Sequence, residues 1–224
     1  MTEADDLRRW RLPRGRHGLP RELVVRSQRE RLLAAVVRVT AARGYESTSV
    51  ADILEEAGVG RESFYELFTD KKDCLLVARG LLVDDLEETV RAAYGSGEAW
   101  VDQVRNALAA MLQWFAADPA AARVVTIELA AVGPAARELF QSDFNRFTKL
   151  MDDGLAEQVP GLPQATGLAV GGLLARVYEE VVNDRAAELP ALLPDLVYEL
   201  LVPFVGEESA RAEQQRAAGL AAAD

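Results

Sequence analysis

Apolar positions recur at the helical period along nearly the whole chain, and no stretch alternates with period two. Leu33, Val36, Val37 and Thr40 stand at i, i+3, i+4 and i+7, which predicts a helix from Glu22 to Arg43 capped by Gly44. Ser49 with Asp52 three residues on reads as an N-cap and its reciprocal acid, opening a helix over Val50–Ala57. Gly58-Val59-Gly60 is a tight turn and Arg61–Phe68 the next helix. Asp70 and Asp73 open another that runs through Leu75, Leu76 and Leu82, and Gly95-Ser96-Gly97 marks the clearest linker.

The second half predicts longer helices. Val101, Val104, Leu108, Met111 and Phe115 share one face. Asp118-Pro119 supplies an N-cap and a proline at the first helical position, and Gly133-Pro134 breaks that helix and starts another. Phe140, Phe144, Phe147 and Met151 follow at steps of four, three and four, and Pro160-Gly161-Leu162-Pro163 is a loop. Two strongly apolar helices, about 164–187 and 194–204, close the pattern. The fold class expected is therefore all-α. A basic flexible arm spans 1–21, a three-helix unit 22–88, a helical bundle 89–205, and a low-complexity tail 206–224 that lacks large apolar residues and is expected to pack poorly.

Composition narrows the chemistry. The single cysteine and single histidine exclude a disulfide framework and multi-Cys zinc modules, so no metal site is expected. With no paired carboxylates placed for acid/base work, neither an enzyme nor a lipid carrier is favoured. No apolar run of signal-peptide length precedes Arg8, and Pro160 and Pro163 interrupt the uncharged stretch 158–175. The chain reads as cytoplasmic, with no membrane partner.

The formal charge of −11 argues against nucleic acid only while it is taken as a total. Residues 1–80 hold 15 Arg/Lys against 13 Asp/Glu, a net of +2, and residues 81–224 hold 10 against 23, a net of −13. Positions 8–43 carry eleven arginines against Glu22 and Glu30, a local +9. Binding responds to that local field, because more distant charges are screened at physiological salt.

Gly44–Leu76 reads GYESTSVADILEEAGVGRESFYELFTDKKDCLL: a helix, a tight glycine turn and a short helix with aromatic ends. This is the helix-turn-helix layout, whose second helix enters the major groove of double-stranded DNA. Arg61, Glu62, Ser63 and Glu66 lie on the start and outer face of that helix, with chemistry suited to base edges. Phe64 and Phe68 face inward. Thr48, Ser49, Tyr65 and Lys71 stand beside helix starts, where phosphates are held.

The same stretch resembles the DNA-binding domain of tetR-family transcriptional regulators. Gly44, Tyr45, Thr48, Val50, Asp52, Ile53, Ala57, Gly58, Val59, Ser63, Phe64, Tyr65, Phe68, Lys71 and Leu75 fall on that family's pattern. Gly60 departs from it where a capping serine is usual, and Lys72 where an acid is usual. The resemblance implies an all-α homodimer with an effector-binding and dimerisation domain after the helix-turn-helix unit. It puts base reading on Arg61, Glu62, Ser63 and Glu66 and phosphate contacts on Thr48, Ser49, Tyr65 and Lys71. No cofactor is implied.

The resemblance also implies a pocket for an unknown small-molecule effector in the bundle. Candidate lining residues are Trp100, Met111, Trp114, Phe115, Thr126, Glu128, Phe144, Phe147 and Tyr178, although aromatic stripes of this spacing more often form core. Glu128 suits either a cationic ligand or a structural ion pair. The last two helices are apolar on two faces, so each needs a second partner. Gly171, Ala175, Leu196, Leu200 and Phe204 are the expected dimer contacts. The expected function is a repressor of a palindromic operator, released by its ligand. The alternative is a DNA-organising or division-linked protein, tolerant of sequence and without an effector.

Overall fold

The computed structural model of the chain describes residues 20–133, 135–158 and 165–221. The arginines of the expected arm up to Arg16, and the loop at Pro160–Pro163, lie outside them. Among the described residues the elements are all helical: α1 (Arg21–Arg43), α2 (Val50–Ala57), α3 (Arg61–Leu67), α4 (Lys71–Tyr94), α5 (Trp100–Ala117), α6 (Pro119–Thr126), a 3₁₀ turn (Glu128–Val132), α7 (Ala135–Gln158), α8 (Ala165–Val182), a second 3₁₀ turn (Ala186–Leu192) and α9 (Leu193–Ala221).

The starts and stops follow local chemistry. The Ser49 hydroxyl accepts from the Asp52 amide at 3.2 Å while the Asp52 carboxylate accepts from the Ser49 amide at 2.9 Å, a complete capping box. Asp118 accepts from the amides of Ala120 and Ala121, both at 3.0 Å, with Pro119 opening α6 behind it. Gly58 ends α2 in the left-handed region at φ 60°, where a Cβ would also meet the Arg31 guanidinium at 2.9 Å. Only glycine makes that turn without strain.

Two hydrophobic cores result. The first packs Leu32, Val36, Ile53, Phe64, Phe68, Cys74 and Leu75 together, and includes Val124 from α6 and Val132 from the turn after it. The second gathers Leu86, Val90, Trp100, Leu108, Leu112, Phe115, Val177, Leu189, Val197 and Leu201. α4 serves both, through Cys74, Leu75 and Ala78 at one end and Leu86 and Val90 at the other. The expected boundary near residue 88 therefore falls inside an unbroken helix.

The expected poorly packed tail is corrected. After a kink at Gly206 (φ 78°) α9 continues to Ala221, with Ala210, Glu213 and Ala217 buried. Glu213 is ion-paired to Arg105 on α5 and to Arg216 on its own helix, and Arg105 also meets Asp102 at 2.8 Å. Alanines pack closely where larger side chains would hold helices apart, so low complexity here is an interhelical surface. Because removing one member of a buried ion pair costs about 3 kcal/mol, Glu213→Ala should lower Tm by roughly 6–12 °C for a chain this size. A thermal melt checks this, and a frayed tail would leave Tm unchanged.

Candidate DNA interface and effector cavities

α2 and α3 are held on the first core by Phe64, fully buried, and Phe68, with ring centroids 5.7 Å apart. α3 therefore presents its opposite side to solvent. Arg61, Glu62, Tyr65 and Glu66 are exposed there and Ser63 is half-buried. The Arg61 guanidinium lies 5.7 Å from the centroid of the Tyr65 ring, which itself meets Phe64 edge-on. Glu66 forms no ion pair with a described residue, and of the four expected base readers Arg61, Glu62 and Glu66 are exposed while Ser63 is only partly so.

The expected phosphate contacts divide. Tyr65 is 49 % exposed, and Ser49 is exposed as the α2 cap. Thr48 is 2 % exposed with its hydroxyl donated to the Gly44 carbonyl at 2.8 Å. It is a buried turn-former and is corrected as a phosphate contact. Lys71 is committed as well. Its ammonium donates to the carbonyls of Thr48 at 2.7 Å, Tyr45 at 2.9 Å and Glu46 at 3.4 Å, and sits 4.4 Å from the centroid of the Tyr45 ring. An ammonium has three N–H donors, and all three are taken. Lys71 ties the start of α4 to the loop before α2, so replacing it by alanine would loosen the unit itself.

Three arginines of the basic block are likewise architectural. Arg31 donates to the Ala57 carbonyl at 2.9 Å and the Gly58 carbonyl at 2.6 Å, at the C-terminal end of α2 where a cation is favoured. Arg38 meets Glu56 at 2.7 Å and Arg43 meets Asp52 at 2.5 Å. These three arginines clamp α2 onto α1 along its length. Residues 44–72 carry Arg61, Lys71 and Lys72 against seven acids, a net of −4. Bonds from the Ser49 hydroxyl and amide, aided by Arg43, hold the Asp52 carboxyl below its usual range. Burial, then Asp73, pushes the Cys74 thiol up to about 12.

Two cavities lie in the second half. A small apolar one of about 50 Å³ is lined by Met111, Phe147, Leu150, Met151, Val170, Leu174 and Leu200 among others. A groove of about 480 Å³ between α6, α7 and α8 is lined by Thr126, Arg137, Phe140, Phe144, Gly171, Leu174, Ala175 and Tyr178. Leu174 forms part of both walls. Of the expected effector residues, Met111 and Phe147 line the inner cavity, and Thr126, Phe144 and Tyr178 line the groove. The others line neither cavity, and Glu128 takes the structural ion pair that was its alternative. Trp100 packs edge-on to Phe204 in the core, Phe115 is 2 % exposed, and Trp114 donates to Asp85 at 2.6 Å. Buried Glu128 accepts from the Tyr45 amide at 2.8 Å and lies 3.4 Å from Arg123. Helical spacing identifies a stripe without saying whether it faces a wall or a void. Arg137, the charged group of the groove, was missed; its only signal is a lone cation beginning the phenylalanine-rich helix.

The expected dimer contacts also divide. Leu196 and Leu200 are each 5 % exposed, packed into their own chain's core, and Phe204 is half-buried against Trp100. The expected Gly171 and Ala175 lie on an apolar stripe along α8 with Leu168, Tyr178 and Val182, at steps of three and four, in which all but the half-buried Gly171 are exposed.

Residues 32–78 match the family model of bacterial regulatory proteins, tetR family. An uncharacterised HTH-type transcriptional regulator in the lacX 3′ region of Lactococcus lactis subsp. lactis is 26 % identical over 141 residues, covering 59 % of this chain and 70 % of the relative. Among solved structures, the Bacillus subtilis regulator FadR in complex with stearoyl-CoA superposes with a TM-score of 0.69 at 21 % identity, covering 79 % of this chain and 98 % of that one. The fatty acid degradation regulator FadR of Bacillus halodurans gives 0.68 at 22 %, covering 78 % and 94 %. A gamma-butyrolactone receptor (ArpA-like protein) gives 0.64 at 17 %, covering 88 % and 98 %.

A carboxyl held low by its partners contributes stability above its unfolded pKa and loses it as pH falls through the folded one. The capping box should therefore open on acidification below the ordinary carboxylate range, and Ser49→Ala should make the melt of this unit less dependent on pH between about 5 and 3. Melting curves of both proteins across that range decide it.

Proposed function

We propose that the chain, a member of the tetR family of bacterial transcriptional regulators, is a repressor that binds a palindromic operator as a homodimer and is released by a small molecule seated between α6, α7 and α8. The observation that carries this reading is the outward face of α3, braced on a core that α4 shares with a bundle containing apolar cavities. The groove has the size of a ligand site, and its apolar walls with a single arginine suit an amphipathic molecule. Support comes from the FadR neighbour in complex with stearoyl-CoA. The α8 stripe is proposed to pair with its copy through Leu168 and Val182, the members that do not line the groove, while Gly171, Ala175 and Tyr178 between them remain the wall of the ligand site. The setting is the cytoplasm, where operators are found.

Selection of bound DNA from a random pool should enrich an inverted repeat whose half-site centres lie about 34–36 Å apart. Tyr65→Phe should weaken binding to it about tenfold through loss of a charge-assisted hydrogen bond, with Tm unchanged. Uniform binding with no enriched sequence would favour the DNA-organising alternative instead.

A second expectation follows from charge. With Arg31, Arg38 and Arg43 committed to α2, the arginines at 8, 9, 11, 14 and 16 are proposed to supply the attraction to the duplex. Deleting residues 1–16 should then reduce the slope of log Kd against log salt by about 4. An unchanged slope would assign no phosphate contacts to the arm.

A further inference from the structure

We infer that Glu128, a residue of the effector half, is a positioning residue for the DNA interface. The inference rests on the DNA-binding reading above. Three observations carry it. The Glu128 carboxylate is buried, 5 % exposed, and accepts from the Tyr45 amide at 2.8 Å across a sequence separation of 83 residues. The Tyr45 carbonyl in turn accepts from Lys71 at 2.9 Å, and the Tyr45 ring lies beneath the same ammonium. The loop between α1 and α2 is thereby gripped from two sides, by α4 through Lys71 and by the effector half through Glu128. The segment that bears Glu128 is itself anchored, because Val124 and Val132 on either side are packed into the first core.

Tyr45 is four residues from Ser49, whose hydroxyl caps α2, and α2 carries the turn that aims α3. A carboxylate accepting from a backbone amide is the stronger kind of hydrogen bond, and burial strengthens it further. Glu128 is also two residues from Thr126 on the groove wall. The contact that steadies the DNA-reading unit therefore begins beside the ligand site. Arg123, 3.4 Å from Glu128 and 3.4 Å from exposed Asp184, extends the same connection to the C-terminal end of α8, a helix that forms one wall of the groove.

The test compares full-length wild type, Glu128→Ala, Glu128→Gln and Leu189→Ala. Leu189 is fully buried in the second core, and its truncation controls for lost stability. Two readouts apply at a temperature well below every Tm: Kd for the DNA selected by the wild type, and amide exchange at Tyr45. Glu128→Ala should raise Kd about tenfold or more and accelerate Tyr45 exchange. Glu128→Gln keeps an oxygen acceptor and should restore both, and Leu189→Ala should move neither. The inference is overturned if Glu128→Ala binds that DNA as the wild type does, or if Leu189→Ala weakens it equally. Should the wild type select no DNA, the DNA-binding reading fails, while unchanged Tyr45 exchange in Glu128→Ala would separately refute the contact.

Discussion

The 24 residues of α4 belong to two hydrophobic cores at once, and the rest of the molecule is arranged around that obligation. A helix of this length runs about 36 Å and bends little when both ends are packed. Its first turns are fixed by Cys74 and Leu75 under α1, and its last by Leu86 and Val90 under α5. α7 is pinned along its outer side, through Arg79 with Asp143 at 2.5 Å and through Arg146 with Asp84 at 3.1 Å and Glu87 at 3.0 Å. Since α7 also lines both cavities, whatever shifts α7 presses on a rod that reaches the DNA-facing unit.

Charge does more structural work than its sum suggests. Arginine suits it, because its planar fork serves two acceptors at fixed angles. Arg31 uses that geometry to close the end of α2, and Arg105 uses it to hold α5 against Glu213 of α9. The acidic excess of the second half is similarly spent in part on ion pairs, with Glu180 held between Arg176 at 3.0 Å and Arg185 at 2.6 Å. That pairing keeps the Glu180 carboxyl below its ordinary range, through its hydrogen bond with Arg185 first.

Features set within a few residues of chain were legible before the fold was known. The capping box at Ser49, the glycine turn at Gly58 and the Asp118-Pro119 helix start each combine a local donor, acceptor or dihedral with its neighbour, and each stands where its pattern put it. The inward Phe64 and the outward Arg61, Glu62 and Glu66 follow from helical period alone. What escaped was long-range. Lys71 carries the right charge for a phosphate, yet three carbonyls 23 to 26 residues away occupy it. Trp100 and Phe115 have the right chemistry for a pocket, but whether an aromatic faces a void depends on the helices opposite. Glu128 and Tyr45 are 83 residues apart, and nothing local to either announces the other. The tail misled for a further reason: alanine is the residue of both unstructured repeats and close helix packing.

Cys74 stands at the centre of the first core, fully buried, with its thiol 3.9 Å from the Leu32 carbonyl. Deprotonation is suppressed, and the thiolate is the reactive form. An oxidant or alkylating agent meets this sulfur only when α1 and α4 part. As the chain's single cysteine, it is a built-in gauge of breathing in the DNA-facing unit, and its modification rate measures how often that unit opens.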